Sequence, residues 1–380
     1  MAFISAGAVM ASWASRIPQI RDQLGLSVAQ VGLVLLATAG GSVVALPSAG
    51  IIVHRFGTRR TVAAAAVVLS VGLSVACLGL ISDLVAAPLG FVVSGFLLVG
   101  FANGAWDVAM NVHGAHVERR LDRAIMPRFH AGFSVGTVLG ALVGSLMVAT
   151  HTSVAAHLLV VAAACAVVPP FAVRGFLVDP EHAQQPAPSR RSHLQRWKEP
   201  RTLLIGVFVL AFAFAEGAGA DWTSLALIDG YHVSATLGTL GFATFLTAMT
   251  LARWFSPWLL DRYGRIPVLR GCLVLALIGL ALFTRSPVVS LALVGAVLWG
   301  VGVSLGFPVG MSAASDDPPA AAARTSVVSS IGYCAFLGGP PLIGLLGAHI
   351  SIRGALLVVT VPLMIAFVVT PALAESRSGP

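Results

Sequence analysis

The chain has 380 residues, of which 57% are hydrophobic and only 10% charged, and its mean hydropathy is +0.91. A soluble domain carries about 25% charged residues, so this composition excludes a soluble enzyme and a nucleic-acid-binding protein and predicts a helical membrane protein with many spans. The net charge of +8 is interpreted as basic loops on one side of the bilayer. The four cysteines lie singly in apolar runs, so we expect no metal, redox or cofactor chemistry.

Twelve apolar segments are predicted to cross the bilayer, since each approaches the length of about 20 residues that a transmembrane helix needs. They fall into two groups of six, separated by residues 174–200, where Pro, Gln, Ser and charged residues predict a solvated cytoplasmic linker. The two bundles are therefore predicted to be 1–173 and 201–380. The predicted spans are 1–19, 28–53, 61–81, 88–113, 129–149, 154–173, 202–226, 235–260, 267–284, 288–311, 325–347 and 354–372.

The basic residues predict the orientation of these spans. If the N-terminus is cytoplasmic, only Arg16, Arg21, Arg285 and Arg353 of the 23 Lys and Arg residues fall in loops on the opposite side, while Arg253 lies inside a span. The positive-inside rule then predicts that both termini are cytoplasmic. The first span is expected to be short by roughly two turns, either because the sequence starts downstream of the true start or because this helix is short; no removable signal peptide is expected.

Short motifs recur in the two halves of the sequence in the same order. His54-Arg55-Phe56-Gly57 follows the second span, and Asp261-Arg262-Tyr263-Gly264 follows the eighth span, 207 residues later. The same offset relates Leu26-Ser27 to Val233-Ser234, and Trp13-Ala14-Ser15 matches Trp222-Thr223-Ser224 at nearly that offset. Two six-helix halves related by an axis along the membrane normal form one known transporter architecture, with the substrate site between them near the midplane.

With these motifs the sequence resembles the major facilitator superfamily over essentially the whole chain. The loop motif of that family, G-x-L-x-D-R-x-G-R, is similar to residues 50–60 and again to residues 257–265. The first copy departs from the pattern with His54 in place of the Asp, and the second has Pro257 in place of the leading Gly. The resemblance implies an all-α membrane protein of twelve transmembrane helices in two pseudo-symmetric six-helix bundles.

The two loops are candidate gates. Gly57 and Gly264 supply the tight turn, the arginines hold it at the cytoplasmic face, and a carboxylate such as Asp261 can form contacts in one state that break in the other. The alternative is a role in turn formation and orientation alone. The candidate gating residues are Gly50, Arg55, Gly57, Arg59, Asp261, Arg262, Gly264 and Arg265.

Polar side chains inside the fourth span are candidates for substrate or proton binding, since a charged group at the bilayer centre costs about 2.5–3.5 kcal/mol on insertion scales. Asn103, Asp107 and Asn111 lie four residues apart and form one polar face. The alternative, favoured for Asn103, is hydrogen bonding between helices. The acid-x-x-x-Asn arrangement followed by a Gly-rich span resembles the fucose-permease-like branch of the family. The strings WASRIP…LGLS, ANG…DVAMN and AEG…ADW resemble a bacterial sub-branch that includes a rhizopine-associated membrane protein. The first resemblance implies that Asp107 carries the proton, with Asn111 as its companion.

The seventh and eighth spans carry a second set of candidates. Glu216 lies deep in the seventh span, and Asp221 and Trp222 lie nearer its outer end, where a ring beside an acid suits a sugar; Trp13 mirrors Trp222 in the first half. The alternative places Trp222 and Asp221 at the bilayer interface. Arg253 is predicted to snorkel or to pair with an acid, and the remaining alternative is contact with an anionic substrate.

Two features predict how the helices pack and bend. Gly132, Gly136, Gly140 and Gly144 form a stripe of small residues in the fifth span that allows another helix to approach closely. Prolines within the spans, among them Pro257, Pro308, Pro340 and Pro341, predict bends.

These observations predict a secondary active transporter, a monomer in a bacterial inner membrane, that moves a small polar solute, sugar-like or polyol-like, by alternating access. Protons are expected to be coupled through Asp107, with Glu216 as a second candidate. The alternatives are proton-driven efflux of a metabolite or drug, and a non-transporting sensor or assembly protein on a transporter scaffold. No phosphate-binding loop or catalytic constellation is found, so we expect neither ATP-driven transport nor an enzyme.

Overall fold

A computed structural model describes residues 1–81, 87–121, 126–177, 196–316 and 321–374, and these residues form helices and short connections without a β-strand. The α-helices of the first part are α1 Ala2–Ala14, α2 Ile17–Leu24, α3 Val28–Ile81, α4 Pro88–Leu121, α5 Met126–Ala149 and α6 Val154–Ala172. Those of the second part are α7 Pro200–Tyr231, α8 Ala235–Tyr263, α9 Arg265–Arg285, α10 Val289–Val303, α11 Gly306–Ala314, α12 Ala321–Ile350, α13 Ile352–Leu356 and α14 Thr360–Val369. Short 3₁₀ helices lie at Val173–Gly175, Leu357–Val359 and Thr370–Leu373.

Within the described residues, 11 helical segments are long and apolar enough to cross a membrane. The first predicted span differs, because it divides into α1 and α2 with a break at Ser15 and Arg16. Pro18 explains the break: it has no N–H for the carbonyl of Ala14, and its ring would clash with that carbonyl in a continuous helix. α1 therefore ends at Ala14, and Pro18 takes its place in the first turn of α2.

The chain divides into two compact units. Unit 1 contains Met1–Ala183 and His232–Ala243, and unit 2 contains Gln184–Tyr231 and Thr244–Pro380. The bundle boundaries at 173 and 201 stay a prediction, and most of the predicted linker, residues 178–195, lies outside the described residues.

The glycine stripe of α5 packs against α1, as the sequence predicts. A Cβ atom at Gly136 would collide with the carbonyl of Ile4, and one at Gly140 would collide with the carbonyl of Ala8. The backbones of α1 and α5 are thus in direct contact at Gly136 and Gly140, which only residues without a side chain allow. Unit 2 has a similar close crossing between α9 and α10, where a Cβ at Gly279 would lie 2.7 Å from the carbonyl oxygen of Gly295.

Gly57 interrupts α3, so the second and third spans are two helices joined by a turn. This turn and the turn after the eighth span have nearly the same backbone conformation. Gly57 has φ 81° and ψ 163°, and Gly264 has φ 76° and ψ 168°. Only glycine adopts this region readily, so both loop motifs require their glycine. A second pair follows the same offset: Gly25 and His232 are both left-handed, with φ of 61° and 54°.

The cysteines do not form disulfides in this fold. Cys77, Cys165 and Cys272 are buried among apolar side chains, as expected of small core residues, whereas Cys334 on α12 is exposed.

Candidate functional site

The polar stripe of α4 lies on the less buried side of that helix. Asn103, Asp107 and Asn111 are half-buried, while Trp106 and Met110 on the adjacent face are 1% and 3% exposed. Trp106 and Met110 are thus packed inside unit 1, while the three polar residues share a less buried face of the same helix, as their four-residue spacing predicts.

Asp107 and Asn111 form a local pair. The Nδ2 of Asn111 donates to the backbone carbonyl of Asp107 at 2.8 Å and to its Oδ1 at 3.1 Å. One amide thus orients the carboxylate while leaving its second oxygen free of a protein donor, and within the described residues no Arg, Lys or His forms an ion pair with Asp107. A carboxylate without a fixed cation can gain or lose a proton without breaking a salt bridge.

In unit 2, Glu216 of α7 and Arg253 of α8 form an ion pair. The Nη2 of Arg253 donates to both carboxylate oxygens of Glu216, at 2.9 and 2.8 Å. The side chain of Arg253 is 25% exposed and that of Glu216 is 23% exposed. Of the roles that the sequence leaves open for Arg253, pairing with an acid is the one this structure shows.

The second contact of Arg253 explains why the arginine lies there. Its Nε donates at 2.9 Å to the carbonyl of Ser304, the residue after the end of α10. In a continuous helix that carbonyl would accept from residue 308, but Pro308 has no N–H. The predicted bend at Pro308 is accordingly a full break between α10 and α11, and Arg253 supplies the missing donor.

The two tryptophans of the repeat are packed inside their own units. Trp222 is 0% exposed, and Trp13 is 7% exposed and makes an edge contact with Phe96 at a centroid distance of 5.0 Å. A solute therefore reaches neither ring in this conformation. Asp221 beside Trp222 is only half-buried and stays the accessible member of that predicted group.

In this conformation Arg55 and Arg262 of the loop motifs contact aromatic rings. Asp261 and Arg262 are exposed and form no ion pair with each other; Arg262 instead lies over the rings of Trp258 and Tyr263, at 5.7 and 5.6 Å. Arg55 lies over Phe56 at 5.5 Å in the same manner. Gly50 and Arg59 are exposed, and the side chain of His54 lies outside the described part.

Arg265 pairs with a carboxylate that the sequence did not single out. Its Nη1 donates to both oxygens of Asp316, at 2.8 and 3.0 Å, and its Nη2 donates to Ser312. Arg201, at the start of α7, donates to the same Asp316 at 2.9 Å and to the backbone carbonyls of Ala372 and Ala374. Asp316 thus joins α7, α9 and the end of α11. No spacing signal links Arg265 to a residue 51 positions away, so the pair was missed.

A second carboxylate, Glu199, lies just before α7. It accepts from Arg324 and Thr202 at 2.8 Å each and pairs with Arg196. Desolvation alone would raise the pKa of Glu199, but the hydrogen bonds from Arg324, Arg196 and Thr202 outweigh it and lower the pKa to about 2. These two acid-centred clusters connect the ends of five helices at one end of unit 2.

Comparison with known proteins identifies relatives along the full chain. A family model described as Major Facilitator Superfamily matches residues 1–220 and 207–379. An uncharacterized transporter of Sinorhizobium fredii, y4wD, is 29% identical over 378 residues, covering 98% of this chain and 96% of the relative. The membrane protein MosC of Rhizobium meliloti is 28% identical over 365 residues, covering 93% and 84% of the two chains.

Solved structures with the same fold are also found. The nucleoside transporter NupG has a TM-score of 0.76 and is 15% identical, with 98% of this chain and 97% of that chain covered. A D-xylose-proton symporter has a TM-score of 0.71 and is 15% identical, with 100% and 97% covered. Because the identity is only 15%, this likeness establishes the fold alone, which is that of twelve helices in two six-helix halves.

Proposed function

This chain belongs to the Major Facilitator Superfamily and is a membrane transporter, and we propose that it moves a small polar solute, sugar-like or polyol-like, together with protons. Transport would be secondary active and proceed by alternating access. We place the protein in a bacterial inner membrane, with both termini in the cytoplasm as the basic loops predict.

The proposal of proton coupling rests on the surroundings of the Asp107 side chain. It is the acid of the α4 stripe, it is half-buried, and its side chain contacts only the amide of Asn111 among the described residues. Glu216, in contrast, is held by Arg253 through two hydrogen bonds. Glu216 already has a cationic partner in Arg253, whereas Asp107 has none among the described residues, so we assign the proton to Asp107.

The polar character of the solute is supported by the residues beside Asp107. Asn103 and Asn111 offer amide donors and acceptors on the same face, which is the chemistry that recognises hydroxyl groups. Two proteins with the same fold are a nucleoside transporter and a D-xylose-proton symporter, both of which handle polar solutes.

The proposal is tested in proteoliposomes that contain a pH-sensitive dye, with sugars, polyols and amines added outside. We expect at least one sugar or polyol to drive proton flux, and we expect Asp107→Asn to abolish this flux while exchange of labelled solute continues. Asn103→Ala is the matched control on the same face, and it should weaken solute affinity without removing the proton requirement.

Three outcomes would decide against parts of the proposal. Full proton flux in Asp107→Asn would remove this residue from the coupling. Proton flux driven by amines or drugs alone would favour efflux. A screen in which no solute changes the proton flux or the thermal stability of the protein would favour a non-transporting sensor.

A further inference from the structure

A buried arginine lies at the break between α1 and α2. The side chain of Arg16 is 2% exposed, and its Nη2 donates at 2.5 Å to the carbonyl of Thr152, in the connection between α5 and α6. Its Nε and Nη1 are buried and have no hydrogen-bond partner in the described part of the chain. No carboxylate pairs with Arg16 there, so its charge is buried without a counter-charge, which is an expensive arrangement in a protein interior.

Two further polar residues near the break have buried side-chain atoms without partners. His157, on α6, is 3% exposed, and neither of its ring nitrogens has a hydrogen-bond partner among the described residues. It is close enough to Arg16 for the two side chains to interact electrostatically. Gln19 lies three residues after Arg16, in the first turn of α2, and both ends of its amide are buried and unpartnered among the described residues.

These groups are mainly donors. The Nε and Nη1 of Arg16 offer three N–H donors, Gln19 offers its NH₂ group and His157 offers one ring N–H, against one amide oxygen and one ring nitrogen that can accept. Thr152 also precedes Ser153, the N-cap of α6, so the positive end of that helix lies beside the guanidinium. An excess of donors, a cation and a helix N-terminus together favour an anion over water.

Arg353 of unit 2 provides the contrast. Its guanidinium donates to the carbonyls of Gly230, Thr284 and Ser286 and lies 4.1 Å from the ring centroid of Tyr231. An arginine near a helix end in this protein can thus be satisfied by the chain itself. Arg16 has only one such carbonyl.

We propose that Arg16, Gln19 and His157 bind a small monovalent inorganic anion, such as chloride, between α2 and α6. Arg16 and His157 are each at most 3% exposed, and this enclosure excludes a solute of sugar size. The bound anion neutralises Arg16 and fixes the α1–α2 break to the start of α6. The site is separate from the polar stripe of α4.

The proposal is tested by the thermal unfolding of the purified full-length protein in detergent, titrated with sodium chloride, bromide or gluconate at constant ionic strength. Chloride and bromide should raise the unfolding midpoint in a saturable way, by about 2 °C at tenfold excess over the dissociation constant, and gluconate should not. In Arg16→Gln the halide effect should disappear. Arg353→Gln is the matched control, since it should lower the midpoint but keep the halide effect.

Two milder variants keep the proposal testable if Arg16→Gln does not fold. Gln19→Leu and His157→Phe should each weaken the apparent halide affinity about tenfold, the value of one lost hydrogen bond to an ion. An equal response to chloride and gluconate, or a halide effect that persists in all three variants, would overturn the proposal and assign these groups to buried water.

Discussion

Arg253 donates from its Nε to the carbonyl of Ser304 at 2.9 Å, in place of the backbone N–H that Pro308 lacks. The same guanidinium holds Glu216, so a single side chain joins α7, α8 and the break between α10 and α11. Any movement that separates these helices must break an ion pair and also expose a carbonyl that has no other donor in the helix. The break in the tenth span and the ion pair are thus one structural feature.

Removing Arg253 is therefore expected to cost more than removing Glu216. Arg253→Leu leaves both a charged Glu216 and the Ser304 carbonyl without a donor, and should lower the free energy of unfolding by about 2–4 kcal/mol. Glu216→Gln keeps an acceptor for the guanidinium and should cost about 1–2 kcal/mol. Denaturant unfolding in detergent measures both, and the double variant should recover part of the loss; strictly additive costs would contradict the pairing.

The role of Pro308 can be tested in the same background. Pro308→Ala restores a backbone N–H that can reach the carbonyl of Ser304, and should recover about 1 kcal/mol of the stability lost in Arg253→Leu. In the protein that retains Arg253, the same substitution should change stability little, because the carbonyl already has a donor. An equal gain in both backgrounds would mean that Pro308 acts only through helix propensity.

The contact between α1 and α5 predicts a severe effect at Gly140. A Cβ there meets the carbonyl of Ala8, so Gly140→Val must push the two helices apart and should cost at least about 2–3 kcal/mol. Gly40→Val is the matched control, because a Cβ at Gly40 meets nothing within 4 Å. Yield of folded protein by size-exclusion chromatography and the unfolding midpoint distinguish the two; a mild Gly140→Val would mean that α1 and α5 are less closely packed.

The cluster around Glu199 predicts a defined pH dependence. Its pKa is lowered to about 2 in the folded protein, whereas an unfolded Glu titrates near pH 4.3. The stabilisation by the ionised carboxylate is therefore complete above about pH 5 and is lost as the pH falls through about 4 towards 2. With discounting for solvent screening it amounts to about 1 kcal/mol.

Glu199→Gln should consequently lower the free energy of unfolding at pH 7, and the difference from the unsubstituted protein should shrink at acid pH. Unfolding curves at pH 7, 5 and 3 measure this. Asp22→Asn is the control, since Asp22 is 59% exposed in its pair with Arg21 and should have little effect at any pH. A difference that does not change with pH would exclude the ionised pair as its cause.

Gly25 and His232 occupy equivalent left-handed positions in the two halves of the sequence, so introducing glycine at one and removing it from the other should change stability in opposite directions. His232→Gly should stabilise the turn before α8 by about 0.5–1 kcal/mol, since His232 has a φ of 54°, which glycine adopts without steric cost. Gly25→Ala should destabilise the equivalent turn by about 1 kcal/mol. Thermal unfolding of both variants checks the signs, and two changes of the same sign would contradict the assignment.

Much of the fold could be predicted because hydropathy and backbone conformation are local. The apolar runs give the spans, and the doubled loop motif predicts the turns at Gly57 and Gly264, whose backbone angles agree within a few degrees. The division of the first span was less predictable, because Pro18 interrupts the helix there whereas Pro257 and Pro340 lie within helices that continue through them.

The pairing of charged side chains was less predictable. Arg265 lies four residues after Asp261, yet it pairs with Asp316, because helix packing brings the end of α11 to the start of α9. Glu216 and Arg253 lie 37 residues apart, and only the structure brings them together. Such contacts depend on which helix faces meet, and a single sequence does not encode that in any spacing.

The exposure of Cys334 has a practical consequence for measuring motion. The other three cysteines are buried, so Cys334, inside the span Arg324–Ile350, is the one cysteine at the surface of the helices and a target on α12 for a membrane-permeant thiol-directed fluorophore or spin label. The unaltered chain can be labelled there at a single position, and one added cysteine on another helix would provide the second probe of a distance measurement. Opening and closing could then be followed spectroscopically without first removing native thiols.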